Sequence, residues 1–205
     1  MRTLNEPIRT KFEIVCYGFE MVRIFRESSF QVRTSSRQKI NTDLVIKLYH
    51  KMRFHVILHN IRSAYNVGSI FRTADAVGIE KIYLTGYTPN PAKDKKIEKT
   101  ALGAEKYVSW QSYKNLNYLL KKLKKEGFKI VALEQSEKSI PYYKFKPQFD
   151  FALILGNEVR GLNRKTLEKC DFILEIPMFG KKESLNVAVA FGIVAYDLRL
   201  KMSYN

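Results

Sequence analysis

A chain of 205 residues has room for one domain with an extension and for a sizeable buried core. Hydrophobic residues at 45% and aromatics at 13% make a globular composition, and no apolar run reaches the ~18–20 residues of a membrane helix. Thirty-six Lys and Arg against 20 Asp and Glu give a net charge of +16, which points to a polyanionic partner such as nucleic acid and says nothing of chemistry.

The chain changes character near residue 53. Residues 1–53 carry 11 basic and 5 acidic side chains, a net +6, with no clean hydrophobic period. They read as a basic extension, either an RNA-binding one through Arg33, Arg37 and Lys39 or a poorly ordered leader to a start at Met52. Residues 54–205 hold the other 25 basic and 15 acidic residues and become regular. Phe54 to His59 is a short β-rich run. Val67, Ile70, Phe71, Ala74 and Val77 recur at three- and four-residue steps, which predicts an amphipathic helix ending at Gly78. Lys81 to Thr85 is the next strand, and Thr88 to Lys99, with two prolines and many lysines, is an exposed loop. A strand at Tyr107 to Trp110 precedes a helix marked by Tyr113, Leu116, Leu119, Leu120 and Leu123 and closed by Gly127. Phe128 to Leu133 and Phe151 to Leu155 are near-continuous apolar runs, the kind buried on both faces of a parallel sheet. A short helix over Arg164 to Lys169, a strand at Phe172 to Ile176 and a helix from Asn186 to Leu200 complete the chain. The alternation predicts an α/β fold with a largely parallel sheet. The last helix is apolar on nearly all sides, from Val187 through Ala195, so it should be buried on several faces. A dimer interface or a central core helix satisfies that requirement.

Several chemistries have no support. GxGxxG and GxxxxGK[ST] are missing, and no histidine lies beyond His59 to serve in a Ser-His-Asp arrangement. No His or Cys grouping has metal-ligand spacing, so no metal is expected. Cys16 and Cys170 lie far apart, which excludes a disulfide scaffold and fits a reducing cytoplasm. Acidic and basic residues break up every apolar cluster near the N-terminus, so no cleavable signal is expected.

Three segments stand out. In Asn60 to Gly78, Asn66 and Gly68 sit where strand gives way to helix, and a cap alone explains both. Arg72 interrupts a small, apolar stretch and needs a partner or an anionic ligand. Leu155-Gly156-Asn157-Glu158 with Gly161-Leu162 follows a buried strand, either as a ligand loop at a strand's carboxyl end or as a plain turn. Ile176-Pro177-Met178 leads through a Gly- and Lys-containing loop to Ser184, Leu185 and Asn186, where a Ser or Asn is also a routine helix cap.

Taken in order, these segments resemble the three signature motifs of the SPOUT superfamily, in particular its SpoU/TrmH branch of RNA ribose 2′-O-methyltransferases. The resemblance covers about residues 54–201. It implies a parallel sheet flanked by helices with a deep C-terminal trefoil knot, a homodimer over that knot, and S-adenosylmethionine as cofactor. It implies cofactor contacts from Leu133, Gly156, Ile176, Met178, Ser184 and Leu185. The same resemblance gives Arg72 the reacting hydroxyl, with Asn66, Glu158, Ser184 and Asn186 as its catalytic companions and Glu158 orienting Arg72 or a neighbour. Holding a guanidine neutral near pH 7 costs about 7 kcal/mol, so Arg72 is expected to act as a cation. Ala188 stands where many relatives carry a hydroxyl residue. The expected function is methyl transfer to a ribose 2′-hydroxyl of tRNA or rRNA in the cytoplasm. A non-catalytic RNA-binding dimer would not need the set Asn66, Arg72, Glu158, Ser184 and Asn186. A base methyltransferase would need a different acid or base.

Overall fold

The computed structural model describes residues 52–203; the expectation for residues 1–53 lies outside them, apart from Met52 and Arg53. Seven parallel strands form one sheet in the order β3-β2-β1-β6-β4-β7-β5. They are β1 (Phe54–His59), β2 (Lys81–Thr85), β3 (Ser109–Tyr113), β4 (Lys129–Leu133), β5 (Ile140–Pro141), β6 (Phe151–Leu155) and β7 (Phe172–Glu175). The helices are α1 (Ala64–Val77), α2 (Glu98–Ala101), α3 (Leu116–Lys125), α4 (Arg164–Leu167) and α5 (Val187–Ser203).

The alternation of side chains explains why the central strands are apolar throughout. Val56, Leu58, Ile82, Leu84, Val131, Leu153 and Leu155 face one layer, which contains α1 and α5. Ile57, Tyr83, Ile130, Ala132, Ala152 and Ile154 face the other, which contains α3. Every central-strand residue thus has a core to enter, and β6 is buried along its whole length. Strand β6 pairs with β1 on one side and β4 on the other, so the chain returns to the middle of the sheet after β5.

The predicted elements differ from the observed ones in identifiable places. The third strand runs from Ser109 to Tyr113, because Tyr107 is exposed and Val108 is buried in the preceding turn. Tyr113 therefore belongs to that strand, and α3 starts at Leu116 behind the cap Asn115, whose side chain accepts from the Tyr118 amide. The lysine-rich loop ends in α2, anchored by the buried Ile97. Strand β5 pairs with β7 over two residues and carried no recognisable pattern. Helix α4 is shorter than predicted, ending at Leu167. Helix α1 ends as predicted, with Gly78 in the left-handed region at φ 71°.

Gly68 is not a cap. Ser63 caps α1 by accepting from the Asn66 amide, and Gly68 lies inside the helix. A Cβ there would collide with the Thr100 hydroxyl and the Ile97 carbonyl, so glycine is required where the segment leading into α2 crosses α1. Helix α5 buries Phe191, Val194, Ala195 and Leu198 against the sheet layer. Its other side exposes Val189, Ile193, Tyr196 and Leu200 at four- and three-residue steps. The helix that is apolar all round therefore has one covered stripe and one open stripe among the described residues.

Candidate functional site

The carboxyl ends of the strands carry the polar loops, as expected for a parallel α/β sheet. The second signature segment folds back on the first. Glu158, just past β6, accepts from the backbone amides of Arg62 at 2.8 Å and Ser63 at 3.0 Å and from Asn66 Nδ2 at 3.0 Å. A carboxylate at a helix entrance satisfies donors that the helix itself leaves open. Burial alone would raise the Glu158 pKa, but the amides of Arg62, Ser63 and Glu158 itself, together with Asn66, hold it below the usual carboxylate value. Its oxygens are thereby spent on orienting the start of α1, and it is a clamp rather than a free base.

The third segment joins at the same point. Asn186 Nδ2 donates to Asn66 Oδ1 at 3.1 Å. Asn186 Oδ1 accepts from the amides of Ala188 at 2.9 Å and Val189 at 3.3 Å, so Asn186 is the N-cap of α5. A continuous relay therefore runs from Glu158 through Asn66 to Asn186 and into α5. Three segments separated by up to 120 residues in sequence meet in one hydrogen-bonded line.

Arg72 stands apart from this relay. It is exposed, and among the described residues no carboxylate pairs with it. Six residues separate it from Asn66, about 9 Å along the helix and roughly a third of a turn around it. The expected contact of Glu158 is thus with the neighbour Asn66 and not with Arg72. Ser184 is exposed and makes no side-chain hydrogen bond among the described residues.

The residues expected at the cofactor gather around β4 and β7. Leu133 ends β4 and pairs with Leu174 of β7, and Ile176, Pro177 and Met178 continue from β7, all half-buried. Leu185 is exposed. Gln135 Nε2 donates to the Glu183 carbonyl at 2.7 Å, which ties the loop before α5 to the end of β4. Leu133, Ile176, Pro177 and Met178 are partly buried apolar residues, which suit a ligand with a flat apolar face. No group of His, Cys, Asp or Glu among the described residues is arranged to hold a metal ion. Gly156 has a structural reason of its own: a Cβ there would lie 2.5 Å from the Gly161 carbonyl carbon and 2.7 Å from the Leu162 nitrogen.

Three residues outside the expected site set, Asn157, Asn60 and Glu134, complete the frame. Asn157 is buried, donates to the Asn60 carbonyl and the Tyr87 hydroxyl at 3.0 Å each, and accepts from the amides of Val159 and Arg160. Asn60 is left-handed at φ 58°, a conformation asparagine tolerates better than most, and its side chain accepts from the Tyr87 amide at 3.3 Å. Glu134, one residue past β4, accepts from the Leu162 amide at 2.8 Å. Asn60 and Glu134 directly follow strands, and Asn157 lies two residues past one, within the second motif. His59 is neutral in this frame, since burial lowers its pKa. Its Nε2 accepts from Asn60 Nδ2 at 3.1 Å, which leaves Nδ1 to donate to the Thr85 hydroxyl at 2.9 Å.

A parallel sheet with polar loops converging at its carboxyl ends defines an α/β protein of the architecture in which ligand sites lie at those ends. The chain belongs to the SpoU rRNA methylase family, whose sequence model matches residues 53–196. It is 32% identical over 165 residues to a 23S rRNA (guanosine-2′-O-)-methyltransferase of Neisseria meningitidis, covering 80% of this chain and 65% of that protein. It is 34% identical over 142 residues to a tRNA (guanosine(18)-2′-O)-methyltransferase of Aquifex aeolicus, covering 69% and 66%. Among solved structures, the A. aeolicus TrmH/SpoU tRNA modifying enzyme matches with a TM-score of 0.67 at 29% identity, covering 78% of this chain and 82% of that one. The AdoMet-bound rRNA methyltransferase of Sinorhizobium meliloti matches with a TM-score of 0.69 at 27% identity, covering 74% and 57%. The chain spans 59–65% of the length of three of its curated relatives.

Proposed function

We propose that this protein transfers a methyl group from S-adenosylmethionine to a ribose 2′-hydroxyl of tRNA or rRNA. The observation that carries this reading is the relay from Glu158 through Asn66 to Asn186, which binds the three family segments into one site. The relatives named for 2′-O-methylation of rRNA and tRNA, and the neighbour solved with AdoMet, support the reaction and the cofactor.

Leu133, Gly156, Ile176, Met178, Ser184 and Leu185 would hold the cofactor, mostly by backbone and apolar contact. When bound, it supplies a methyl group on a sulfonium, a donor that is already activated. The chain's own task is to bring the 2′-oxygen in line with that methyl group and to stabilise the charge that grows on it. Arg72 does the second as a cation, since a guanidinium stays protonated in proteins, and its planar fork can reach an oxygen and a phosphate together. The hydroxyl proton leaves to solvent as the oxygen–carbon bond forms. Asn66 and Asn186 position the ribose, and Glu158 fixes Asn66. Ser184, on the exposed loop, completes the set.

The proposal extends to assembly. The open stripe Val189, Ile193, Tyr196 and Leu200 is what a second copy would cover, giving a two-fold dimer. The resemblance to the SpoU/TrmH enzymes implies a trefoil knot in this region, where Gln135 ties the loop before α5 to the loop after β4. Exposed Lys93, Lys95, Lys96, Lys121 and Lys125 supply positive charge for the RNA backbone, with the cytoplasm as the place of reaction.

Mapping of ribose methylation by mass spectrometry in RNA from cells with and without the protein tests this reading. Loss of one 2′-O-methylated nucleotide in its absence is expected, and an unchanged map would refute it. Leu185→Glu should weaken S-adenosylhomocysteine binding by calorimetry without unfolding the protein, because the residue is exposed. Gly156→Val is unsuited to that purpose, since it would displace the Gly161–Leu162 backbone.

A further inference from the structure

Exposure of a tyrosine by itself carries little information, because single apolar residues are common on surfaces. Tyr87 differs from the other exposed tyrosines of the described residues in how it is held. The residue is 59% exposed, yet its hydroxyl accepts from the buried Asn157 at 3.0 Å and its amide donates to Asn60 Oδ1 at 3.3 Å. No hydroxyl hydrogen bond of this kind fixes Tyr65, Tyr107, Tyr118, Tyr143 or Tyr196. The next residue is fixed as well: the Thr88 hydroxyl shares its one proton between the carbonyls of Leu58 and Thr85 and accepts from the Ile61 amide.

An exposed aromatic ring pinned at both ends has lost its freedom without gaining a core. That arrangement spends ordering free energy in advance, which favours a partner that uses the ring face. Two features of the molecule identify the partner. First, Asn157 is the chain neighbour of Glu158, which holds Asn66, so the ring stands at the rim of the relay. Second, the segment that follows Tyr87 exposes Lys93, Lys95, Lys96 and Lys99 against the two acids Asp94 and Glu98. A fixed aromatic face beside a lysine-rich loop is how proteins take an unstacked base together with its phosphates. Bases within a duplex stack on each other and offer no free face.

We propose that Tyr87 is a platform on which an unpaired RNA base stacks beside the reacting ribose, so that the substrate is a single-stranded loop or bulge and not a continuous helix. This rests on the proposed RNA methyltransferase function and specifies its substrate class.

The test uses the full-length protein and an oligouridylate of about 12 nucleotides carrying one 4-thiouridine, alone and annealed to its complement. Ultraviolet crosslinking of the single strand should label the tryptic peptide Ile82–Lys93, which contains Tyr87. Tyr87→Leu should weaken single-strand binding by about 5- to 100-fold while leaving duplex binding and S-adenosylhomocysteine binding unchanged. Tyr87→Phe, which keeps the ring and loses the hydroxyl, should bind within about twofold of wild type. If Tyr87→Leu binds the single strand as wild type does, or if Tyr87→Phe is as weak as Tyr87→Leu, the platform is refuted. The second of those results would assign Tyr87 to holding Asn157. A Tyr87→Leu protein that loses S-adenosylhomocysteine would refute it too, as a structural role. Absence of RNA binding by the wild type would overturn the RNA methyltransferase reading itself.

Discussion

At the amino ends of the strands, Arg53 closes on Asp150 at 2.6 Å, and both Arg53 and His55 lie against the Phe128 ring. At the carboxyl ends, Glu158 and Asn157 give their polar atoms to the backbones and side chains of loops. The first end pairs charge with charge and ring with ring among the described residues. The second uses a carboxylate and neutral amides to fix loop shape and leaves Ser184 and Tyr87 exposed, with Arg72 exposed further along α1. On the proposed reading, one sheet keeps its stability at the amino ends of its strands and its chemistry at the carboxyl ends. Substitutions at the two ends should separate in what they damage.

The largest separation is expected at Arg72. Arg72→Ala should cut methyl transfer by about 1000-fold or more while cofactor binding and thermal stability stay near wild type. Arg72→Lys keeps the charge and loses the fork, and single-turnover rates should place it between Ala and wild type. Asn66→Ala should come next, at about 100-fold in kcat, because it cuts the relay at its centre and leaves Glu158 and Asn186 each short of a partner. A normal rate in Asn66→Ala would mean that the relay is only a brace.

The amino end should behave in the opposite way. Asp150→Ala removes a charge-assisted pair and should lower stability by about 3 kcal/mol in urea unfolding, with the rate per folded molecule unchanged. A smaller and graded effect is expected from His55. Burial, with Arg53 and Lys81 nearby, lowers its pKa from 6.5 to about 4, so at neutral pH it is uncharged and its 3.7 Å approach to Glu80 is not an ion pair. The unfolded chain then binds more protons between those two values. Stability should therefore fall as pH drops through that window, by about 3 kcal/mol at its end. His55→Phe, which keeps a ring over Phe128, should flatten that dependence when unfolding is followed from pH 7 to 4.

The sequence made the strand cores legible because their signals are local. Phe128 to Leu133 and Phe151 to Leu155 are apolar at every position, and α1 shows its period through Val67, Ile70, Phe71 and Ala74. The placement of β6 between β1 and β4 was not legible, since pairing across some 97 residues leaves no mark on either segment. The site was half legible. Asn66, Glu158 and Asn186 were recognisable by their order along the chain, but their hydrogen bonds to one another were not, and Glu158 could as well have faced Arg72. Tyr87 and Asn60 stayed hidden because their roles arise from a left-handed turn and a buried amide, neither of which has a periodic signature.

Incubation of purified protein with total tRNA and rRNA and with S-adenosylmethionine bearing a deuterated methyl group, followed by nucleoside mass spectrometry, tests the central claim most directly. The account predicts that the heavy methyl group appears on the ribose of a 2′-O-methylated nucleoside and that Arg72→Ala abolishes it. A heavy methyl group found on a base, or no transfer at all by the cofactor-bound protein, would contradict it.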